Sequence, residues 1–349
     1  MNKQPFFSIV VPCYNSSPYI KELLTSIVIQ NMSDEIEVIL ADDCSTEPYD
    51  DIVKEFESIL NIKKVKTDYN FAPGNTRQKG VEAVTGQWIT FIDHDDIFLE
   101  NIFQNVKKKI IESGEQYYVI GRFIEADPKT NKVINVFENP VGWTHGKFFN
   151  KKNLWDAFNL KYKKDMYSHE DIYICTTVEC IMENIKHIPL KIDDIILVWR
   201  AWKQSISRNK YIHLQEDHSY LEVLLDDFKD STATVYYDNY KNGIVSKYFA
   251  QESIIQILGY LYFYMMWFIF YKPKTYIKSN WIVCSQTKEM LDELDITNNN
   301  IYDYLAANNT YIFQGLFESA MSSCGTFYIP CMSFMQFLEY LDNKQFDLE

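Results

Sequence analysis

Short apolar runs alternate with amphipathic stretches along the first hundred residues. Phe7-Ser8-Ile9-Val10-Val11-Pro12, Ile36-Glu37-Val38-Ile39-Leu40-Ala41, Ile62 to Thr67 and Trp88-Ile89-Thr90-Phe91-Ile92 are brief and rich in β-branched and aromatic residues. That texture predicts strands. Pro18 to Gln30, Asp50 to Leu60 and Asn75 to Val84 lie between them and predict helices. The order β-α-β-α-β-α-β predicts a mostly parallel sheet with helices on both faces, and ligands of such sheets bind beyond the carboxyl ends of the strands. Three of these ends carry polar clusters, Tyr14-Asn15, Asp42-Asp43 and Asp93-His94-Asp95, which the fold class brings to one place.

The texture changes near Asn209 to His213. Beyond it run long helix-like stretches, Leu214 to Phe228, Ile244 to Tyr271 and Thr287 to Leu294, with few strand signals. The expected division is therefore an α/β domain over 1–210 and a mainly α-helical domain over 211–349, the second serving ligand recognition, oligomerisation or membrane contact. Within the second, Ile254 to Tyr271 is about the shortest apolar length that spans a bilayer. It carries Gln256, Gly259 and four tyrosines between weakly basic flanks, which predicts a buried helix, with an interfacial membrane contact as the alternative.

Composition narrows the function classes. The chain has 349 residues, 47% hydrophobic and 23% charged, enough apolar surface for two folded domains. A net charge of −14 argues against general nucleic-acid binding, which needs a basic surface to displace counterions. The N-terminal MNKQPFFSIVVPCYN lacks a signal-peptide layout, so a cytoplasmic chain is expected, with peripheral membrane contact left open. The seven cysteines are scattered without a C-x-x-C pair, which suits reduced thiols.

The strand Trp88 to Ile92 ends in Asp93, Asp95 and Asp96. Three carboxylates within four residues repel one another unless the tip is solvated or a cation sits among them. A polar turn or a helix start is the other reading.

The ordered set SIVVPCYNSSPYIKELLTSIVIQ, VILADDCST and NFAPGNTRQKGVEAVTGQWITFIDHDD resembles the nucleotide-sugar half of family 2 glycosyltransferases of GT-A fold. GWTHGKFFNKKNL, YSHEDIYI and ILVWRAWKQSIS are similar to the family's acceptor-side motifs, so the resemblance covers about residues 6 to 208. It implies a GT-A, Rossmann-like mixed sheet flanked by helices. Pro12, Tyr14 and Asn15 would meet the nucleoside, with the Tyr14 ring stacking on the base. Asp42 would accept from the uracil imide, with Asp43 beside it. Arg77, in the place of the family's A-R-N arginine, would lie near the diphosphate, since guanidinium forks match phosphate oxygens. Asp93 and Asp95 form the D-x-D pattern, one facing the ribose and metal shell and the other ligating Mn²⁺ or Mg²⁺. Asp96 is either a further ligand or the cap of the next helix, and His94 fills the variable position on the surface.

By the same resemblance Asp171 is the base and Glu170 supports it, while Arg200, Lys203, Ser205 and Ser207 belong to a segment that closes over the donor phosphates. Trp199 and Trp202 either pack in the core or stack on sugar. Lys147 falls in a W-x-K-like element in which His145 replaces the usual tryptophan. The implied activity is metal-dependent, inverting transfer of a sugar from a UDP-sugar to a glycan, polymer or lipid-linked acceptor, with homo-oligomerisation open. Two alternatives remain: a catalytically silent sugar-nucleotide-binding or scaffold protein of the same fold, and a transferase acting on a modified nucleic-acid base. A sugar-nucleotide pyrophosphorylase is disfavoured because PCYNSSPY lacks the glycine-rich loop and arginine that such enzymes place after the first strand.

Overall fold

The computed structural model describes residues 4–68, 73–138, 140, 142–163, 170–202, 234–257, 285–297, 300 and 303. The chain divides into two compact units, Met1–Ser205 and Ile206–Glu349.

The first unit runs β1 (Phe7–Cys13), α1 (Ile20–Val28), β2 (Ile36–Asp42), α2 (Asp50–Lys54), β3 (Asn61–Lys66), α3 (Pro73–Glu82), β4 (Trp88–Phe91), β5 (Ile97–Phe98), α4 (Ile102–Ser113), β6 (Tyr118–Ala126), β7 (Val133–Phe137), β8 (Lys147–Asn150), a π-helical turn (Lys151–Asp156), α5 (Glu170–Asn184) and β9 (Leu190–Arg200). The sheet order is β3-β2-β1-β4-β8-β6-β9-β5, with β7 paired to β6. Its first four strands are parallel, as the alternation predicts, but β8 joins β4 antiparallel and makes the sheet mixed.

The central strands read as continuous apolar runs because both sheet faces are covered. Phe7, Ile9 and Val11 of β1 join Val38 and Leu40 of β2 in a cluster with Leu23, Leu24 and Ile27 of α1 and Phe103 and Val106 of α4. Val10 and Ala41 point to the other face, which α3 covers. A buried side chain of this size contributes roughly 1.5–3 kcal/mol. α3 itself has little apolar surface to contribute, and its glycines compensate by letting it sit close. A Cβ on Gly80 would come within 2.5 Å of Val10 Cγ1.

The helix expected over Asp50 to Leu60 is shorter than its pattern. After Lys54 the amides of Glu55 and Phe56 reach back only three residues, to Ile52 and Val53, so the chain tightens into turns while Phe56 and Leu60 stay buried. The described cysteines, Cys13, Cys44, Cys175 and Cys180, are free thiols.

In the second unit the described residues are helical at 234–241, 247–257 and Ser285–Glu293. Tyr237 donates to Glu293 at 2.7 Å, and Lys241 and Lys247 pair with Glu293 and Asp295 at 2.9 and 2.8 Å. The predicted run Thr287 to Leu294 falls on the last of these helices, and Ile244 to Tyr271 overlaps 247–257. Leu214 to Phe228 and the remainder of the long apolar segment, from residue 258, lie outside the described residues. No described helix is long and apolar enough to cross a membrane.

Candidate active site

Parallel pairing of β2, β1 and β4 sets the ends of three strands side by side. Cys13 is in register with Asp42, the Asp43 amide donates to the Cys13 carbonyl at 2.8 Å, and Ile92 donates to the Val10 carbonyl at 3.3 Å. Asp42 and Asp93 therefore stand at strand tips on either side of β1.

The β1 and β2 loops are stitched together by side chains expected to meet a nucleoside. Asn15, in the left-handed region at φ 49°, accepts from the Thr46 and Glu47 amides at 2.9 and 3.1 Å. Asp42 Oδ1 accepts from the Ser45 hydroxyl at 2.5 Å, and its Oδ2 lies 3.6 Å from Lys66. Asp43 is buried and accepts from Thr67 at 2.9 Å. Tyr14 is 44% exposed, its ring open to a planar ligand. His94 is half-buried. Its Nδ1 donates to the Pro12 carbonyl at 3.1 Å and its ring packs against Tyr19, tying the acidic tip to the first loop.

α3 carries Arg77 between two glycines at three-residue spacing, Gly74, Arg77 and Gly80, so all three share one helix face. Gly80 seats the helix on β1, and at Gly74 a Cβ would lie 3.1 Å from Glu170 Cβ at the start of α5. Both approaches press Arg77, 4% exposed, into a ring of carboxylates. Its Nη2 donates to Asp93 at 2.7 Å and its Nη1 to Glu170 at 2.5 Å, with Asp171 Oδ1 3.8 Å from Nη1. Asp171 is held on its other side by Thr144, whose hydroxyl and amide donate to Oδ2 at 3.0 and 3.4 Å. Glu170 and Asp171 open α5, where carboxylates also favour the helix dipole.

Behind the tip lies a second cluster. Asp93, Asp96 and His145 offer ligand atoms within 4.8 Å of one another. His145 Nε2 is 3.3 Å from Asp96 Oδ2 and 3.8 Å from Asp93 Oδ2. Asp96 does not cap α4. It is fully buried, and its Oδ1 accepts the Arg200 amide at 2.8 Å. Asp95 is absent from this set. Its backbone carbonyl accepts from Arg200 Nε and from Trp202 at 3.4 Å.

Burial and charge set the titration of these groups in opposite directions. Burial pushes Asp96 up to about 7 and, against the opposing pull of Arg77, pushes Glu170 up to about 7. Burial would raise Asp93 as well, but Arg77 and the histidines outweigh it and hold Asp93 below the usual carboxylate range. Burial would lower His145, yet Asp96 and Asp93 raise it to about 9. The cluster keeps more carboxylates than cations.

Arg200 ends β9 with its guanidinium paired to Glu22 and set over the Trp202 ring, whose other neighbour is Tyr19. Trp199 packs with Trp143 and Phe137. Lys147 is 1% exposed over the Tyr118 ring. Lys203, Ser205 and Ser207, the rest of the expected closing segment, lie outside the described residues. Motif reasoning missed Thr144 and noted His145 only as a departure from the family's tryptophan, not as a partner of the acidic tip. The signal for His145 was a titratable ring where the family has tryptophan, in a chain with three carboxylates at one strand tip.

A model of the family described as "Glycosyl transferase family 2" matches residues 8–162. The first unit carries a family 2 glycosyltransferase domain. Over 92 residues the chain is 39% identical to TarS of Staphylococcus aureus, named a poly(ribitol-phosphate) beta-N-acetylglucosaminyltransferase, covering 26% of this chain and 16% of that one. Over 170 residues the chain is 37% identical to the poly(ribitol-phosphate) beta-glucosyltransferase of Bacillus spizizenii, covering 45% of this chain and 26% of the relative. The aligned stretches thus span well under two thirds of these relatives. Among solved structures, S. aureus TarS 1-349 with UDP superimposes with a TM-score of 0.58 at 16% identity, covering 91% of this chain and 87% of that one. The fold is GT-A, with the mixed sheet that the resemblance implies.

Proposed function

We propose that the chain is an inverting glycosyltransferase that moves a sugar from a UDP-sugar to a hydroxyl of a cell-surface glycan or polyol-phosphate polymer. One observation carries this reading. A single buried guanidinium joins the strand-tip carboxylate Asp93 to the carboxylate pair Glu170-Asp171, so a donor-side acid and an acceptor-side base occupy one site. The UDP and UDP-GlcNAc bound to the TarS structures favour a uridine donor. The names of the two relatives favour a poly(ribitol phosphate)-type acceptor.

The exposed Tyr14 ring stacks on the base, and Asp42 faces the nucleoside through the oxygen nearer Lys66. Asp171 takes the proton of the acceptor hydroxyl as that oxygen bonds to the anomeric carbon. The bond from that carbon to the diphosphate breaks, and the nucleoside diphosphate leaves with the electron pair. Glu170 and Thr144 hold the base in place. The excess of carboxylates and the convergence of Asp93, Asp96 and His145 fit a divalent cation that accepts oxygen and imidazole ligands. Asp95 is assigned as a further ligand on its place in the D-x-D pattern alone. Mn²⁺ or Mg²⁺ there would neutralise charge on the departing diphosphate.

The test is release of UDP from UDP-GlcNAc and UDP-glucose in the presence of poly(ribitol phosphate), comparing wild type with Asp171→Asn. Release by the wild type that falls at least about 100-fold in the variant supports the reading. Equal release by both contradicts the base assignment.

A further inference from the structure

Building on the transferase reading, we propose that Arg77 is a positioning residue for the Glu170-Asp171 pair and not a ligand of the donor diphosphate. The family resemblance implies a phosphate-binding cation at this position. The fold commits its terminal nitrogens elsewhere, Nη2 to Asp93 at 2.7 Å and Nη1 to Glu170 at 2.5 Å, with Asp171 Oδ1 3.8 Å from Nη1. Its remaining N–H donors, the unpartnered Nε among them, belong to a side chain only 4% exposed, so they present little open surface to a diphosphate, while both terminal nitrogens already hold carboxylates.

A guanidinium differs from an ammonium in fixing direction as well as charge. Its planar fork holds two carboxylates at a set angle and separation. Here those carboxylates come from different elements, the tip of β4 and the first turn of α5. The helix that presents Arg77 is placed by glycines on either side of it. Gly80 allows contact with β1, and Gly74 allows contact with Glu170, where an added Cβ would lie 3.1 Å from Glu170 Cβ. Arg77 thereby sets the separation between the donor-side carboxylate and the base. Misplacing a reacting group by about 1 Å costs on the order of 100-fold in rate. The consequence is a split: altering Arg77 slows turnover without weakening the nucleotide.

The experiment measures the Kd of UDP with Mn²⁺ by calorimetry, and kcat and KM for UDP release from UDP-GlcNAc or UDP-glucose, whichever donor the wild type turns over. The variants are Arg77→Lys, which keeps the charge and loses the fork, Arg77→Gln, and Gly74→Ala, which leaves Arg77 intact and crowds Glu170. Positioning predicts that Arg77→Lys and Gly74→Ala hold the UDP Kd within about threefold while kcat falls about 10- to 100-fold. Should Arg77→Gln fail to fold, the other two variants still decide the matter. A UDP affinity that falls in step with kcat in Arg77→Lys identifies a phosphate ligand and overturns the proposal while leaving the transferase reading intact. Unchanged kcat in both variants also overturns it. A wild type that neither binds UDP nor releases it from either donor overturns the transferase reading and this assignment with it.

Discussion

Thr144 donates both its hydroxyl, at 3.0 Å, and its backbone amide, at 3.4 Å, to one oxygen of Asp171. Asp171 Oδ1, in turn, is buried and accepts no hydrogen bond among the described residues. Thr144 thus fixes the rotation of the carboxylate from the side opposite Arg77. Thr144→Val removes the hydroxyl at nearly constant volume and is expected to lower kcat about 10-fold with the donor KM unchanged. Thr144→Ser keeps the hydroxyl and should retain most of the activity. Steady-state kinetics on the two variants checks this, and equal activity in Val and Ser would contradict it.

His145 is the imidazole of the candidate cation site, together with Asp93 and Asp96. Replacing it by Gln removes the nitrogen ligand. The Mn²⁺ concentration giving half-maximal UDP release should rise by at least about 10-fold, since loss of even an outer-shell partner costs that much. Excess Mn²⁺ should restore part of the rate. Chelation with EDTA should abolish UDP release in the wild type, and re-addition of Mn²⁺ should recover it.

Tyr14 is 44% exposed, and its ring is the candidate platform for the base. Tyr14→Ala should weaken UDP by about 1–3 kcal/mol, the worth of one base on one aromatic ring, with the melting temperature nearly unchanged. Calorimetry with UDP measures the loss directly. An unaltered Kd would remove Tyr14 from the site.

Glu37 lies near the amino ends of β1 and β2, at the end of the sheet away from the site. It is fully buried and accepts from Ser8 at 2.5 Å, Lys63 at 2.7 Å, Thr85 at 2.6 Å and Gly86 at 2.8 Å. Burial alone would raise its carboxyl, but Lys63, Ser8 and Thr85 together hold it below the usual glutamate range. A carboxyl depressed in the folded state contributes stability that is present above its unfolded value, near 4.5, and lost as pH falls through the lower folded value. Glu37→Gln should cost about 1–3 kcal/mol at pH 7, because the amide keeps one acceptor oxygen while the partly exposed Lys63 loses its anion. The penalty should shrink in melts below about pH 4. Nucleotide affinity should not move.

The first four strands and the convergence of their tips were legible because their apolar runs are short, continuous and separated by helical periods. The D-x-D tip, Arg77 and the Glu170-Asp171 pair were found as motif positions, and the structure brings them within ion-pair distance. How Arg77 is used was not legible. That depends on Gly74 and Gly80, whose effect is felt only once α3 lies against β1 and α5. Asp96 read as ligand or helix cap because sequence shows neither the Arg200 amide nor His145, which reach it from positions 104 and 49 residues away. The antiparallel entry of β8 was also hidden. Its four residues, Lys147–Asn150, carry no strand signal stronger than their neighbours.

The central claim is a nucleotide-sugar site at the tip of β4. It is tested most directly by donor binding and nucleotide release across UDP-, GDP-, CDP- and dTDP-sugars, with and without Mn²⁺, on the wild type and on Asp95→Ala. That variant removes a carboxylate while leaving the carbonyl that receives Arg200 and Trp202. The account predicts Mn²⁺-dependent release of UDP by the wild type, lost in Asp95→Ala with the melting temperature preserved. Absence of binding to every donor, with and without metal, would contradict it.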